Sequence, residues 1–345
     1  MNKEFLNRLL TTPSVSGFEE PNQMNVIEYA NGFADEIRTD AAGDIISIVN
    51  PDSPVKVLLC GHMDEIGFLV SHINDDGTVA LTEVGGVHPI LYIGSPMLIY
   101  HDGQAVPAVG APPKNYKITD DTKLVLDIGC DSKKDALEYV APGDVVVADP
   151  GNVRELANGN FSFRALDDKT GVYVILEAAK RAKEYGARCG IFAATTTREE
   201  TIDTGSFYTS ANVSPTCSII VDVTWASDRK AQDPDATMDC RLGGGPALCA
   251  SSIANKKINR ALEAIAAEKN IPLQYEYYGG RSYTDGDTVN KSGRGVPTAL
   301  VSIPLRYMHS SVEVCNYNDI EWCIDLIAEF LVRLDENFRY EPIEL

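Results

Sequence analysis

After Phe161 the chain alternates long helix-period segments with short, almost wholly apolar ones: TGVYVILEAAKRAKEYG, CGIFAATTT, TCSIIVDVTW, SSIANKKINRALEAIAAEKN, VPTALVSIP and DIEWCIDLIAEFLVRLDENF. Strands that apolar leave no face for water, so both of their sides must be covered. The alternation therefore predicts an α/β sheet containing parallel strands, with helices on both faces. The start of the chain has the same texture. Helical FLNRLL and MNVIEYANGFA, the second after the capping-type SGFEE, precede a hairpin, EIRTDAAGDIISIV, turning at Gly43 and Asp44, and a buried strand, VKVLLC.

Between about residues 68 and 161 the texture changes. Short alternating pieces (FLVSHI, TVALTEV, SPMLIY, LVLDIG, DVVVAD) are punctuated by NDDG, GG, HDG and PGD, and only SKKDALEYV reads as a helix. This predicts a compact β-rich insert splitting the α/β domain into 1–67 and 162–345, with the insert over 68–161.

Composition narrows the function. At 345 residues and 44% apolar the chain can bury a large core, and a net charge of -20 would be repelled by nucleic acid and by an anionic membrane. The expected partner is a small molecule or a peptide. No apolar run approaches the roughly 20 residues that span a bilayer, and MNKEFLNRLL lacks the features of a signal peptide, so a cytoplasmic location is expected. Eight scattered cysteines without a CxxC pair (Cys60, Cys130, Cys189, Cys217, Cys240, Cys249, Cys315, Cys323) read as free thiols in apolar surroundings.

Acidic residues and histidines gather at strand ends. VKVLLCGHMDEIGF carries His62 and Asp64, FSFRALDDKTG carries Asp167 and Asp168, and GIFAATTTREE carries Glu199 and Glu200. CSIIVDVTW adds Asp222 and PLRYMHSSVEV adds His309. In open α/β sheets the carboxyl ends of the strands form the ligand crevice, so these groups are expected to converge. His62, Asp167, Glu200, Asp222 and His309 satisfy what two divalent ions need: a carboxylate to bridge them, further imidazole and carboxylate ligands, and room for a shared water. A donor set without thiolate favours zinc, cobalt or manganese. One carboxylate must stay free to take a proton, and Glu199 and Glu200 can divide these roles. Asp64 is expected to hold the second nitrogen of His62.

GHMDEIGF, ALDDKTG, TTREE, VDVT, LGGGPA, YTDGD and PLRYMHSSVEV, in this order, resemble the dinuclear aminopeptidases that include the glutamyl, deblocking and tetrahedral aminopeptidases, some of them labelled cellulase M or endoglucanase. The resemblance runs over nearly the whole chain. It implies a mixed sheet sandwiched by helices, the zinc-exopeptidase (phosphorylase/hydrolase-like) fold, with an inserted small β-barrel-like domain. It also implies that His62, Asp167 and Asp222 ligate one metal while Asp167, Glu200 and His309 ligate the other, with Asp167 bridging and a cis peptide bond to Asp168. Glu199 would be the general base in hydrolysis of an N-terminal peptide bond. The insert would mediate assembly into dimers or tetrahedral dodecamers.

The chain departs from that family pattern in places. Arg198 stands where glutamine is usual, Thr201 to Gly205 replace Gly-Leu-Arg-Gly, Lys114 replaces a histidine after Pro112 and Pro113, and Lys169 stands where arginine is frequent. A cation at 198 is expected to lower the pKa of Glu199 or to alter specificity. Asp168 reads either as a helix cap or as an orienting group, Glu313 as pairing with a base or sitting near the site, Gly243 to Gly245 as a loop near the cleft, and His72, His88 and His101 as surface or hydrogen-bonded residues. Two other classes stay open. One is glycoside hydrolysis, which needs only a carboxylate pair. The other is a non-catalytic assembly protein with a structural metal site, against which a spare base such as Glu199 argues.

Overall fold

The computed structural model describes residues 1–114, 117–119, 122–149, 151–229, 239–341 and 343. Two helices open the chain, α1 (Lys3–Thr11) and α2 (Glu20–Ala30). The Asn2 side chain caps α1 by accepting from the Phe5 amide, and proline in the first turn of α2 needs no amide there. Strands β1 (Glu36–Thr39), β2 (Ile45–Val49) and β3 (Lys56–His62) follow, and the predicted hairpin is present with its turn at 40–44.

Six strands then close into a barrel: β4 (Gly67–Ile73), β5 (Val79–Val84), β6 (Pro96–His101), β7 (Gln104–Gly110), β8 (Val125–Asp127) and β9 (Val145–Ala148), in the order β4-β5-β8-β7-β6-β9. Its core is packed with Phe68, Val70, Met97, Ile99, Leu126 and Val146. The ring of Tyr92 meets Phe68 edge-on at 5.2 Å, a favoured aromatic geometry. The helix expected at SKKDALEYV is a single turn, α3 (Lys133–Ala136), capped by Ser132.

The barrel strands end at Ala148, before the expected end of the insert. The next two strands, β10 (Arg154–Glu155) and β11 (Asn160–Phe163), join a separate three-stranded sheet.

The α/β texture resumes with α4 (Leu166–Glu184), β12 (Gly190–Thr196), α5 (Glu199–Ile202), α6 (Thr204–Val213), β13 (Cys217–Trp225), β14 (Ala247–Ser251) and α7 (Lys256–Lys269). After these come β15 (Gln274–Tyr278), α8 (Gly286–Val289), β16 (Thr298–Leu305), β17 (Glu313–Asn316) and α9 (Tyr317–Arg333). Eight strands form one mixed sheet, β1-β2-β12-β3-β13-β16-β14-β15, with β12, β3, β13 and β16 parallel. The sequence pattern did not single out α6, β14 or β15. The first is rich in serine and threonine, and β15 is an edge strand that leaves Tyr275 and Tyr277 exposed.

Strand alternation sorts the two faces. Val57 and Leu59 of β3 join the core built with α1, α4 and α9, whereas Leu58 and Cys60 face the opposite core with Val213 of α6 and Val289 of α8. At the end of β3 a Cβ on Gly61 would lie 2.8 Å from the carbonyl carbon of Gly171. Only glycine lets β3 and α4 approach as bare backbones there, which draws His62 against the start of α4. All eight cysteines are free thiols, seven buried and Cys130 half-buried. Among the described residues no helix is long and apolar enough to cross a membrane.

Candidate metal centre and active site

The parallel strands β3, β12, β13 and β16 end on one side of the sheet, and the predicted residues meet there. His62 is the last residue of β3, Asp222 lies in β13, Glu199 and Glu200 open α5 after β12, and Asp167 sits in the first turn of α4, joined to Asp168 by a cis peptide bond. His309 follows β16 in a left-handed turn (φ 62°). Asp167 is central: its Oδ1 lies 3.2 Å from His62 Nε2 and its Oδ2 lies 3.3 Å from His309 Nε2. Two groups with ligand atoms within 4.8 Å of one another result, His62–Asp167–Asp222 and Asp167–Glu200–His309, and Asp167 belongs to both. His309 Nε2 is 3.4 Å from Glu200 Oε2. Glu199 belongs to neither group, and its Oε2 stands 3.9 Å from His62 Nε2.

Buried carboxylates hold the strand-end turn that carries the glutamate pair. Asp285 accepts from the Thr196 hydroxyl at 2.5 Å, and Asp44 accepts from the Thr197 amide at 2.9 Å and the Thr197 hydroxyl at 2.8 Å. Asp64 accepts from the amides of Glu199 (3.0 Å) and Glu200 (3.2 Å). The same carboxylate, expected to hold His62, stays within ion-pair distance of its Nδ1 at 3.6 Å. The nearest partner of His62 Nδ1 is the Asp64 main-chain carbonyl at 3.0 Å, because the carboxylate, 3.6 Å away, is turned toward the helix-start amides. That carbonyl fixes the tautomer that leaves Nε2 free to ligate.

Arg198 forms no ion pair with Glu199 or Glu200 among the described residues. Its guanidinium donates to the Ala42 carbonyl at 3.4 Å. Burial, opposed by His62 and reinforced by Asp222, raises the pKa of Glu199 well above its usual value.

Three further residues set the ligands. Asp168, fully buried, accepts from the amides of His62 (3.2 Å) and Gly171 (3.0 Å), so it both caps α4 and ties it to β3. Glu313 accepts from the amides of Leu166 (2.7 Å), Asp167 (3.2 Å) and His309 (2.8 Å), placing the bridging position and the second histidine on one carboxylate. It reaches them because β17 pairs with β11 in the register Glu313 to Phe163. The barrel supplies the third brace, since the Gly86 carbonyl lies 3.1 Å from His309 Nδ1. A Cβ on Gly86 would come within 2.9 Å of that nitrogen.

Sequence reasoning missed Gly86, Asp44, Asp285 and Glu65. The Gly-Gly pair at 85–86 was the available signal for the first. Glu65 pairs with Arg164 and, at 2.7 Å, with Lys169, all three buried. Lys114, by contrast, is exposed on the loop after β7.

Electrostatics test whether cations belong here. Burial raises the pKa values of Glu200, Asp222 and Asp168, and Asp167 or Asp168 nearby adds to the effect on each. Burial alone would push Asp167 the same way, but hydrogen bonds with His309 and His62 hold it well below the usual carboxylate range. Both histidines are raised: burial opposes their charge and is outweighed for His62 by Asp167, Asp64, Glu199 and Asp222 together, and for His309 by Asp167 with the Gly86 carbonyl. Glu200 Oε1 is buried with no hydrogen-bond partner among the described residues. Carboxylates this crowded, one with an orphaned oxygen, and imidazoles with no thiolate among them, fit hard or borderline divalent cations.

The family model of M42 glutamyl aminopeptidases matches residues 43–326. The chain belongs to that family. This M42 protein is a metal-dependent aminopeptidase, a hydrolase of peptide bonds. It is 29% identical to the lysyl aminopeptidase of Pyrococcus furiosus over 96% of this chain and 97% of the relative. Its fold matches a TET aminopeptidase from a marine-sediment thaumarchaeote with a TM-score of 0.89, at 27% identity over 97% of each chain. It also matches the TET1 peptidase of Pyrococcus horikoshii with a TM-score of 0.83, at 28% identity over 96% of this chain and 99% of the other. That peptidase assembles into a tetrahedron or a large octahedral shell. With this family, the glycoside-hydrolase reading of the M42 protein falls away, and so does the non-catalytic one.

Proposed function

We propose that His62, Asp167 and Asp222 hold one divalent metal and that Asp167, Glu200 and His309 hold a second, with zinc as the native ion and cobalt or manganese as working substitutes. The observation that carries this reading is Asp167, whose two oxygens face two different histidines, each at the heart of a separate ligand group. Bound there, the pair supplies Lewis acidity to the scissile carbonyl and an anchor for a free α-amine, which favours cleavage at the N-terminus.

The chain's own residues do the rest. Glu199 Oε2, outside both groups but beside His62, takes the proton of the attacking water and hands it to the departing amine. Asp64 fixes where Glu199 stands through its amide, and its carbonyl aligns His62. Asp168 and Glu313 keep the ligand-bearing backbones in register. The barrel over 67–148 closes one side of the site at Gly86. We assign the same barrel to self-assembly into dimers or a dodecameric shell, on the strength of the shell-forming relative. The substrates are peptides with a free N-terminus.

Glu199→Gln separates the base from the ligands. It should lower kcat by about 10²–10⁴-fold with two metals per chain still found by elemental analysis. Unchanged hydrolysis with both metals bound would refute the assignment of the base, and loss of a metal would move Glu199 into the ligand set.

A further inference from the structure

Behind the glutamate-bearing turn lies a cavity of about 610 Å³ that contains none of the metal-centre residues. Its volume falls within the range of small-molecule sites. One wall is apolar, with Met24 and Ile27 from α2, Ile37 from β1 and Ile45 from β2. Four charged residues line the remainder, Glu19, Glu20, Arg38 and Arg198, and of these Arg38 is already paired with Glu36. Arg198 donates to the Ala42 carbonyl at 3.4 Å and forms no ion pair among the described residues. Glu19, only 6% exposed, accepts from the Gly17 amide at 2.9 Å and has no cation within ion-pair distance among the described residues.

A half-buried guanidinium and a buried carboxylate facing one cavity without touching are costly unless a ligand or water satisfies them. A phosphate or fatty-acid ligand suits Arg198 but is repelled by Glu19 and Glu20. A hydrocarbon leaves both charges unmet. The combination of anion, cation and apolar wall matches a molecule carrying all three complements.

We propose that this cavity binds a free apolar α-amino acid, with its carboxylate on Arg198, its ammonium on Glu19 and its side chain against Met24, Ile27, Ile37 and Ile45. Such molecules are what an aminopeptidase releases. The site touches the turn one residue before Glu199, and Asp44, Thr197 and Ala42 tie that turn to the cavity wall.

The test uses the metal-loaded full chain with its metal centre blocked by excess acetohydroxamate, and labelled L-leucine in equilibrium dialysis. Stoichiometric leucine should remain bound, be displaced by L-methionine, and resist displacement by leucinamide, which lacks the carboxylate, and by 4-methylpentanoate, which lacks the amine. Arg198→Met and Glu19→Gln should each weaken binding by roughly tenfold or more. The proposal is overturned if no leucine binds once the metal centre is blocked, if leucinamide or 4-methylpentanoate competes as well as methionine, or if a folded Arg198→Met binds leucine unchanged. The ligand series on the unaltered protein decides the matter should either variant fail to fold.

Discussion

Two clusters of buried charge lie side by side at the end of β3 and are balanced in opposite ways. Glu65 sits between Arg164 and Lys169, all three nearly inaccessible to water, and also accepts from the Ser14 amide at 2.9 Å. Burial would raise Glu65, but the two cations prevail and bring it down to about 2; burial carries Lys169 down to about 8 against the pull of Glu65. A few residues away, Asp167, Glu199, Glu200 and Asp222 surround two imidazoles, and no lysine or arginine ion-pairs with any of them among the described residues. The same desolvation acts on both clusters. One is neutralised by side chains that the chain itself supplies and serves to fix the backbone; the other is left short of positive charge, which is what a cation-binding site requires.

Metal removal breaks the second cluster and should spare the first. Treatment with a strong chelator should reduce peptide hydrolysis by roughly three orders of magnitude or more, recovered by adding back zinc, cobalt or manganese. Activity that survives chelation and dialysis would dissolve the distinction between the clusters.

Glu65→Gln breaks the first. It strands two buried cations, so urea denaturation should show a loss of about 3–5 kcal/mol. Because Glu65 is depressed in the folded state, its stabilisation is complete above the ordinary carboxylate value near 4.5 and is lost as pH falls toward about 2. The gap in stability between Glu65→Gln and the parent should therefore close on acidification across that window. A gap that stays constant from pH 6 to pH 2.5 would show that Glu65 is held by something other than its charge.

A smaller effect is expected where the barrel meets the metal centre. Gly86→Ala puts a methyl group against the His309 ring, and kcat/KM should fall by about tenfold with the Tm of the fold little changed. Equal activity would detach the barrel from the chemistry. The smallest effect belongs to surface charge. Arg333 pairs with Glu268 and Glu329 in the open, and Arg333→Ala should cost at most about 1 kcal/mol, which sets the scale against which the buried triad is judged.

Much of this was legible in one dimension. Apolar period and strand texture disclosed the helix-flanked sheet and the β-rich interruption, because burial on two faces leaves an unmistakable run such as VKVLLC or CSIIVDVTW. The five proposed ligands were legible as types at strand ends. Less visible were the elements without a strong apolar period, such as α6, and the pairing of β11 with β17, which only a fold can bring together.

What the sequence determined alone is therefore the inventory: which chemistry-bearing side chains exist, and that parallel strands would carry them to one edge of a sheet. Tertiary structure decided their division of labour. It turned the Asp64 carboxylate to the amides of Glu199 and Glu200, bonded Arg198 to the Ala42 carbonyl, and brought the Gly86 carbonyl of the barrel to His309. The physical reason is that residue type fixes what a group can bond, whereas which bond it makes depends on the nearest unsatisfied donor once water is excluded. That neighbour comes from a strand, turn or barrel loop distant in the chain.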